Sequence, residues 1–508
     1  MIGERLAYLP EVEWEGLQRP YEEIIINQTQ CLPPGIKGMT VRRDATYRLQ
    51  CTLYGVIEGS MPRLTEVPAG SFGEGMTITG MHAHQTVETN AAGEPQLVSH
   101  PYSSYELSDC HITALKCTVA FGKESTFTCP LIVRQVRRTA YPPQEAVRLV
   151  TWYLNGPRSG VIFPRMQARD LEENYSKKGI RSSEPVYPSL SLLASDSSCF
   201  ASVSYGNRRF LIFEVPKGCG PEWSSNIGIE YRPEWGGIPE EPEREAISEI
   251  VGFVMGRRLI EVGCSAFNSN GWPVDETSQN PWGDNVVSLC AKPDRPPIRI
   301  CPVKERHRLE TVLEDLIPSY LAQRDILGFK TAAWQYWIGR EATPDVGLMS
   351  IAAAVEGLAG RWLRSNKSKT QGVYLPKHEY EALTRDEFIA IKEKLGQIPN
   401  SDFILRTLEG AFEIRGVAVR RDAFLTEIGL PVGPVEREAF KARHPAAHGA
   451  SAASREEWRK MIRAIDAYST AFERILLKLL GYSGTYIDYT APHHPETPLD
   501  QPLAGWPA

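Results

Sequence analysis

The sequence lacks the features of a membrane or secreted protein. No run of about 18 uncharged apolar residues occurs, which is the length that a membrane-spanning helix needs. The first residues, Met1 to Arg5, do not have the basic-then-apolar order of a signal peptide. Hydrophobic residues make up 42% of the chain and charged residues 23%, as in ordinary globular domains. We therefore expect a cytoplasmic protein without a membrane partner, and 508 residues predict two or three domains.

Cysteine pairs of the C-x-x-C type are also absent, and no cysteine follows Cys301. A chain of this length does not need disulfides, so the ten cysteines are expected to be reduced and mostly buried thiols. The clusters that most resemble metal ligands are Cys110, His111, Cys117 and Cys129, and the pair His82 and His84. Their spacing matches no zinc pattern, so we expect neither a metal nor another cofactor.

Positive charge is not in excess either. The formal net charge is −6, and residues 301–508 carry 27 Lys and Arg against 27 Asp and Glu, so the acidic excess lies in residues 1–300. Proteins that wrap nucleic acid over a broad surface are usually basic. Any contact with RNA is therefore expected at a small local patch.

Residues 1–300 are predicted to be rich in β-strands. Segments dense in β-branched and aromatic residues, separated by Gly and Pro turns, occur at 21–28, 46–57, 111–120, 127–136, 147–154, 209–215 and 227–231. Helical spacing of apolar residues predicts one helix over 242–257, and a strand is expected over 259–263. We expect a β-sandwich or a pair of β-rich subdomains. The polar residues 268–284 predict a long loop, and the proline-rich residues 292–297 indicate a domain boundary near residue 300.

After Pro302 the apolar period changes from two to about 3.6, which predicts an all-α bundle over residues 301–490. The first helix carries an apolar stripe from Leu309 to Leu321, with a kink expected at Pro318. Further helices are predicted to begin at Thr343 and to cover residues 378–395, 401–415, 419–428 and 435–443. Ser454 and Glu457 form a capping-box pattern for a last helix that Gly481 stops. The predicted class is multidomain α+β, with residues 491–508 as a surface tail.

The segment Ala442 to Gly449 is the main candidate for chemistry. It contains Arg443 and His448, separated by four residues. A residue before proline is pushed out of the α region, so we expect the helix to end at His444 and Pro445 to open a new turn. A guanidinium and an imidazole near unpaired backbone N–H groups would suit a phosphate. Two alternatives stay open: Arg437 with His444 as a second register, or a purely structural role in which Arg443 pairs with Glu438 and His448 packs against the last helix.

The order arginine, polar residue, histidine, glycine and capped long helix resembles the R-x(4–6)-H motif of HEPN domains. Residues 354–358, with an embedded glutamate at position 356, and residues 471–482 also resemble parts of such a domain. The front of the chain resembles the β-rich N-terminal region of ApeA-type anti-phage HEPN proteins, at residues 33–38 and 250–256. One departure is His444, because the family often has Asn or Asp directly after the arginine.

The resemblance implies a metal-independent endoribonuclease that acts as a toxin in anti-phage defence by abortive infection, with RNA as its partner and an exposed tRNA loop as a plausible target. Arg443 would hold the phosphoryl oxygens, His448 would transfer protons, and His444 would orient His448 or contact the phosphate. HEPN domains characteristically pair, so a homodimer or higher even oligomer is expected. The β-rich region would sense a phage-derived trigger or a nucleotide ligand. The alternative is a non-catalytic HEPN module for RNA binding or dimerisation, with a ligand-sensing β domain.

A run of cations without acids follows the helix predicted to begin at Thr343. It would guide an RNA backbone toward the motif, together with Lys441 beside Arg443. The residues expected to bind RNA are Arg361, Arg364, Lys367, Lys369 and Lys441. The alternative is that these cations only decorate a helix C-terminus and a solvated loop.

Overall fold

The chain is a mixed α+β protein, with strands mainly in its N-terminal half and helices mainly in its C-terminal half. The computed structural model describes residues 36–57, 76–89, 95–112, 116–118, 125–140, 142–158, 162–163, 165–168, 170–171, 178–179, 197–215, 221–269, 273–281, 286–366, 377–396, 398, 403–405, 417–447 and 454–506. Contacts divide the chain into a β-rich unit (1–240, 255–295 and 300–312) and a helical unit (241–254, 296–299 and 313–508). The division therefore does not fall at one residue near 300.

The β-rich unit is built on one antiparallel sheet, whose hydrogen-bonded strand order is called the ladder below. Its strands are β1 (Ile36–Arg43), β2 (Leu49–Ile57), β3 (Met76–Thr89), β4 (Pro95–Ile112), β5 (Lys116–Thr118), β6 (Ser125–Ile132), β7 (Gln135–Ala140), β8 (Arg148–Leu154), β9 (Arg165–Ala168), β12 (Ser197–Tyr205), β13 (Arg208–Glu214), β14 (Ile227–Tyr231), β15 (Ile260–Phe267) and β16 (Pro273–Gln279). Two short strands, β10 (Asp170–Leu171) and β11 (Lys178–Gly179), pair separately. The ladder order is β1-β2-β6-β4-β7-β16-β15-β8-β14-β13-β12-β9, with β3 on β4 and β5 on β6.

The strand β8 lies inside this ladder, between β14 and β15. Its apolar residues are buried almost without interruption, as expected for a central strand with both faces covered. Trp152 donates to Ser265 Oγ at 3.0 Å and meets Phe213 edge to face, with ring centroids 5.9 Å apart. These contacts tie three strands of the ladder into one core.

The strand predictions at 46–57, 147–154, 209–215 and 227–231 are confirmed by β2, β8, β13 and β14. The segment 21–28 lies outside the described residues. The loop predicted over 268–284 is wrong, because β16 pairs with both β7 and β15. Its inward positions include Glu276, which forms an ion pair with Arg138. A strand whose buried positions are partly polar gives no apolar alternation for sequence analysis to detect.

Nine α-helices occur in the described residues. They are α1 (Glu241–Met255), α2 (Val286–Ala291), α3 (Leu309–Leu327), α4 (Phe329–Glu341), α5 (Pro344–Ser365), α6 (Lys377–Leu395), α7 (Val417–Glu427), α8 (Pro434–Ala447) and α9 (Arg455–Leu479). Short 3-10 helices lie at Pro233–Trp235 and Glu305–His307. Seven of these α-helices correspond to predictions from the sequence; α2 and α4 were not predicted. Most of the segment 401–415 lies outside the described residues.

Two long helices, α5 and α9, form the centre of the helical unit. The α5 helix begins at Pro344 after Thr343, as predicted, and buries Leu348, Ile351 and Val355. Among the described residues, α5 alone is long and apolar enough to cross a membrane by length and mean hydropathy, and half of its apolar window is buried within the protein. The α9 helix begins with the predicted capping box, since Ser454 and Glu457 each accept a hydrogen bond from the other's backbone N–H.

The chain after α9 is not the surface tail that the sequence predicts. The strands β17 (Thr485–Ile487) and β18 (Glu496–Pro498) form a hairpin, and Leu499 and Leu503 are buried. The buried Asp488 accepts hydrogen bonds from the backbone of Thr490 and Ala504. Proline and histidine content suggested an exposed extension, whereas buried polar contacts hold this segment against the helical unit.

Candidate functional site

The helix α8 carries the candidate motif, and it does not break where the sequence predicts. It continues from Pro434 to Ala447, so the expected end at His444 and new turn at Pro445 are wrong. Proline inside a helix removes one N–H and crowds the carbonyl four residues earlier, here that of Lys441. Pro445 therefore loses one hydrogen bond, but it lies within the last turn, and only two further residues stay helical after it. The packed helix therefore tolerates it.

The inward face of α8 is formed by residues three or four positions apart: Glu436, Ala439 and Phe440 are buried, and Arg443 follows at the same spacing. Arg443 Nη1 lies 2.9 Å from Glu356 Oε1 of α5, and the two side chains are 32% and 17% exposed. The structural alternative for Arg443 named the wrong partner, because Glu438 instead pairs with Lys441 at 2.9 Å. Arg443 is therefore oriented by an acid of another helix.

Glu356 lies among three guanidinium groups. Burial raises the pKa of the Glu356 carboxyl, and the positive charges of Arg443, Arg421 and Arg420 act in the opposite direction. The net shift remains upward, so desolvation outweighs the three cations. Arg420 and Arg421 belong to α7. This helix packs on α5, where the rings of Trp362 and Phe424 meet edge to face with their centroids 5.7 Å apart. Helices α5, α7 and α8 thus bring four charged side chains together.

Tyr468 of α9 completes this group. Its ring meets Phe440 edge to face at 5.0 Å, and the Arg421 guanidinium lies 4.1 Å above the Phe440 ring. The Tyr468 hydroxyl is fully buried and makes no hydrogen bond within the described part of the chain. Burial raises the pKa of Tyr468 to about 12, partly offset by the charge of Arg421. We call Glu356, Arg420, Arg421, Arg443 and Tyr468 the arginine cluster.

Three nitrogen or oxygen donors of the arginine cluster lack partners among the described residues. They are Arg420 Nε, Arg443 Nε and the Tyr468 hydroxyl, all of which are buried. A buried polar group without a partner costs about 1–3 kcal/mol. Native structures retain such groups rarely, often at functional sites. In chemical terms, the arginine cluster can hold a phosphoryl group and stabilise added negative charge on it.

The other predicted catalytic residues are placed only in part. His448 lies outside the described residues. His444 lies in the backbone of α8, and its side chain is likewise outside the description. Arg437, the arginine of the second register, is exposed. The structure thus joins Arg443 to Glu356, and its contacts to the two histidines stay a prediction.

The predicted RNA-binding residues do not share contacts with Arg443 in the described residues. Arg361 packs beside Gly328, whose φ of +64° marks the turn between α3 and α4. Arg364 is exposed near the end of α5, and Lys441 is exposed on α8. Lys367 and Lys369 lie outside the described residues. Their role in RNA binding stays a prediction.

Sequence analysis missed Arg420, Arg421 and Tyr468. The adjacent pair Arg420 and Arg421 is the only signal that might have pointed to them, and such pairs are common on exposed helices. Tyr468 looks like one more apolar position on the inner face of α9. Their importance depends on how four helices meet, which spacing along the chain does not specify.

The described residues contain no group of three or more His, Cys, Asp or Glu side chains that could hold a metal ion. Six described cysteines are free thiols, and Cys51, Cys129, Cys199 and Cys290 among them are buried. Burial raises the pKa of both Cys129 and Cys199 to about 11, which makes these thiols poor nucleophiles at neutral pH. The arginine cluster is therefore the strongest candidate site in the described structure.

No protein-family model matches the chain, and no curated protein sequence matches it. Two solved structures align with limited parts of it. "Crystal structure of Hcp protein" is 16% identical over 20% of this chain and 66% of its own, with a TM-score of 0.15. "Secreted protein Hcp3 from Pseudomonas aeruginosa" is 16% identical over 24% of this chain and 80% of its own, with a TM-score of 0.16. Scores this low carry no argument about fold or function.

Proposed function

We propose that the protein is a metal-independent endoribonuclease of the HEPN type, with an ApeA-like architecture, that acts in anti-phage defence by abortive infection. The observation that carries the proposal is the placement of Arg443, the arginine of the R-x4-H motif, in an ion pair with Glu356 beside two further arginines. An arginine that another helix orients is preorganised to bind a phosphoryl oxygen, which lowers the cost of binding in the transition state.

The chemistry needs only the RNA and proton transfer. The 2′-oxygen attacks the adjacent phosphorus, a bond forms between them, and the bond from phosphorus to the 5′-oxygen breaks. The products are a 2′,3′-cyclic phosphate and a 5′-hydroxyl. His448 takes the proton of the 2′-hydroxyl or delivers one to the leaving oxygen, worth about 10²–10⁴-fold in rate. Arg443 stabilises the charged phosphorane, and His444 orients His448 or takes the second proton-transfer role.

Each chain supplies one Arg443 and one His448, so two-sided proton transfer favours a pair of sites in one cleft. We therefore propose a homodimer or higher even oligomer in the cytoplasm. The acidic β-rich unit would sense a phage-derived trigger or a nucleotide and restrain the nuclease until infection. RNA would approach along Arg361, Arg364, Lys367, Lys369 and Lys441.

The test is incubation of the purified full chain with total RNA and with tRNA in the presence of a chelator. We expect cleavage with 2′,3′-cyclic phosphate ends, and a loss of about 10²–10⁴-fold on His448→Ala. Lys460→Gln, which removes a fully exposed cation on α9, is the matched control and should cut as wild type does. If His448→Ala cuts as well as wild type, the site assignment fails.

Separate Arg437→Ala and Arg443→Ala variants decide between the two registers. Arg437 is exposed, so its loss should leave cleavage unchanged, whereas loss of Arg443 should reduce it by at least tenfold. The reverse result would assign the motif to Arg437 and His444.

A second candidate function is a non-catalytic module for RNA binding or dimerisation. The ion pair between Arg443 and Glu356 also favours this alternative, because such a pair can serve packing alone. This alternative is supported if the wild-type chain binds RNA without cutting it, and if the histidine and arginine variants do the same.

A further inference from the structure

Positive charge exceeds negative charge inside the arginine cluster. The charges of Arg420, Arg421 and Arg443 all act on the carboxyl of Glu356, and Arg443 contacts it directly. Among the described residues, Arg421 also contacts Asp422, which accepts a hydrogen bond from it at 3.1 Å but is largely exposed to water. Three guanidinium groups against one enclosed carboxylate leave an excess of positive charge, which favours the binding of an anion.

The hydrogen-bonding capacity of the cluster is also in excess on the donor side. Arg420 Nε, Arg443 Nε and the Tyr468 hydroxyl are buried, and within the described residues none of them meets an acceptor. Arg421 lies beside the Tyr468 hydroxyl, but a guanidinium brings donors and no acceptor for the hydroxyl hydrogen. Glu356 Oε1 touches Arg443 as a charge contact and likewise has no aligned hydrogen bond. Each of these donors can take an oxygen atom of a ligand as its partner.

The cluster has an open side. A third of the Arg443 side chain is exposed and Arg420 is partly exposed, whereas Arg421 and Tyr468 form the inner wall. A tetrahedral anion can approach at the exposed ends of Arg443 and Arg420 while Glu356 keeps its ion pair with Arg443. Phosphate suits this geometry, because guanidinium binds it through paired N–H donors.

We propose that Arg420, Arg421 and Tyr468 form, together with Arg443, a phosphate-binding subsite. Its ligand is a phosphate group of the RNA backbone next to the bond that is cut, and this assignment rests on the proposed ribonuclease function. Arg443 would then contact both the reacting phosphate and its neighbour, and Arg420, Arg421 and Tyr468 would fix the position of the RNA strand. The phosphate of a free nucleotide has the same chemistry, and the experiment separates the two sources.

The first measurement is the affinity of the full chain for inorganic phosphate, determined by 31P NMR or calorimetry. Arg420→Gln should weaken binding about tenfold, and Tyr468→Phe about threefold. Tyr468→Phe removes only the hydroxyl and keeps the ring that packs on Phe440, so it is the variant least exposed to a folding defect. Lys460→Gln is the control and should bind as wild type does. Wild-type affinity in both Arg420→Gln and Tyr468→Phe, or no phosphate binding by the wild type, overturns the subsite.

The second measurement compares a short RNA with a nucleoside monophosphate under binding conditions. A backbone subsite predicts that the RNA binds more tightly, and that Arg420→Gln lowers the salt dependence of its binding by about one phosphate contact. Equal affinity for the mononucleotide, with no change in the salt dependence of RNA binding, would overturn the backbone assignment.

RNA cleavage by the wild type is scored separately. If the variants lose phosphate binding but the wild type does not cleave RNA, the phosphate-binding subsite is supported and the ribonuclease function is rejected. Cleavage that Arg420→Gln leaves unchanged, with unchanged phosphate affinity, would keep the nuclease and reject the subsite.

Discussion

Replacing Arg474 by methionine should destabilise the helical unit by about 3–5 kcal/mol. Arg474 of α9 and Glu436 of α8 form an ion pair at 2.5 Å, and their side chains are 1% and 0% exposed. The Glu436 carboxylate also accepts from the backbone of Gly433 at 3.0 Å and Leu503 at 2.9 Å. Without the guanidinium it would keep these two bonds and lose the counter-charge that the described residues give it. Methionine preserves most of the apolar stem.

The same guanidinium donates to the carbonyl oxygens of Pro431 and Leu499, so its loss also frees the C-terminal segment. The assay is urea denaturation monitored by amide hydrogen exchange, which reports on the helical unit and the β-rich unit separately. We expect amides at 497–503 to lose protection first. The control is Lys441→Met, whose pair with Glu438 is 74% and 73% exposed and should cost under about 0.5 kcal/mol.

The double variant Glu436→Gln with Arg474→Met separates charge from packing. Removing both charges should cost less than the sum of the single changes, because no unpaired ion stays buried. A loss below about 1 kcal/mol for Arg474→Met, with unchanged protection at 497–503, would refute the argument that this buried pair holds the C-terminal segment.

Three further changes have defined outcomes. The pKa of Glu356 is raised in the folded protein, so between the ordinary carboxyl pKa and the raised one the folded protein keeps a proton that the unfolded chain has released. Stability therefore falls as pH rises through this range. The urea midpoint of Glu356→Gln should lack this dependence on pH. A chain that begins at residue 241 should be more stable than one that begins at 301 by about 3 kcal/mol, measured by urea denaturation, since the shorter one loses the acids of α1 that pair with the mostly buried Arg324. Gly328→Ala should lower the melting temperature, because a φ of +64° strains any residue with a Cβ, whereas the Arg361 guanidinium beside it can move away; an unchanged melting temperature would contradict this.

Much of the helical unit could be predicted from the sequence, because local signals and packing agree there. Pro344 begins α5 directly after Thr343, although the Thr343 side chain makes no capping hydrogen bond, and Ser454 with Glu457 begins α9 through a capping box. Predictions failed where tertiary contacts override local preference. Pro445 stays inside α8, and β16 pairs on both sides although its buried positions are partly polar.

The candidate site divides in the same way. Arg443 could be selected from a motif of eight residues, and position 356 from the resemblance. Their contact at 2.9 Å joins helices that lie almost ninety positions apart, and no pattern along the chain specifies it. Arg420 and Tyr468 came only from the structure, because their significance is a lack of partners among the described residues.

The helix α9 connects two very different environments. Its first turns are exposed and include Trp458 and Ile462, whereas from Ala467 onward it is buried and carries Tyr468. With 25 residues it is about 37 Å long, and Trp458 lies about 15 Å from Tyr468 along its axis. The exposed end of α9 and the wall of the arginine cluster therefore belong to one continuous helix, so a molecule bound at Trp458 would lie about 15 Å along the axis from Tyr468.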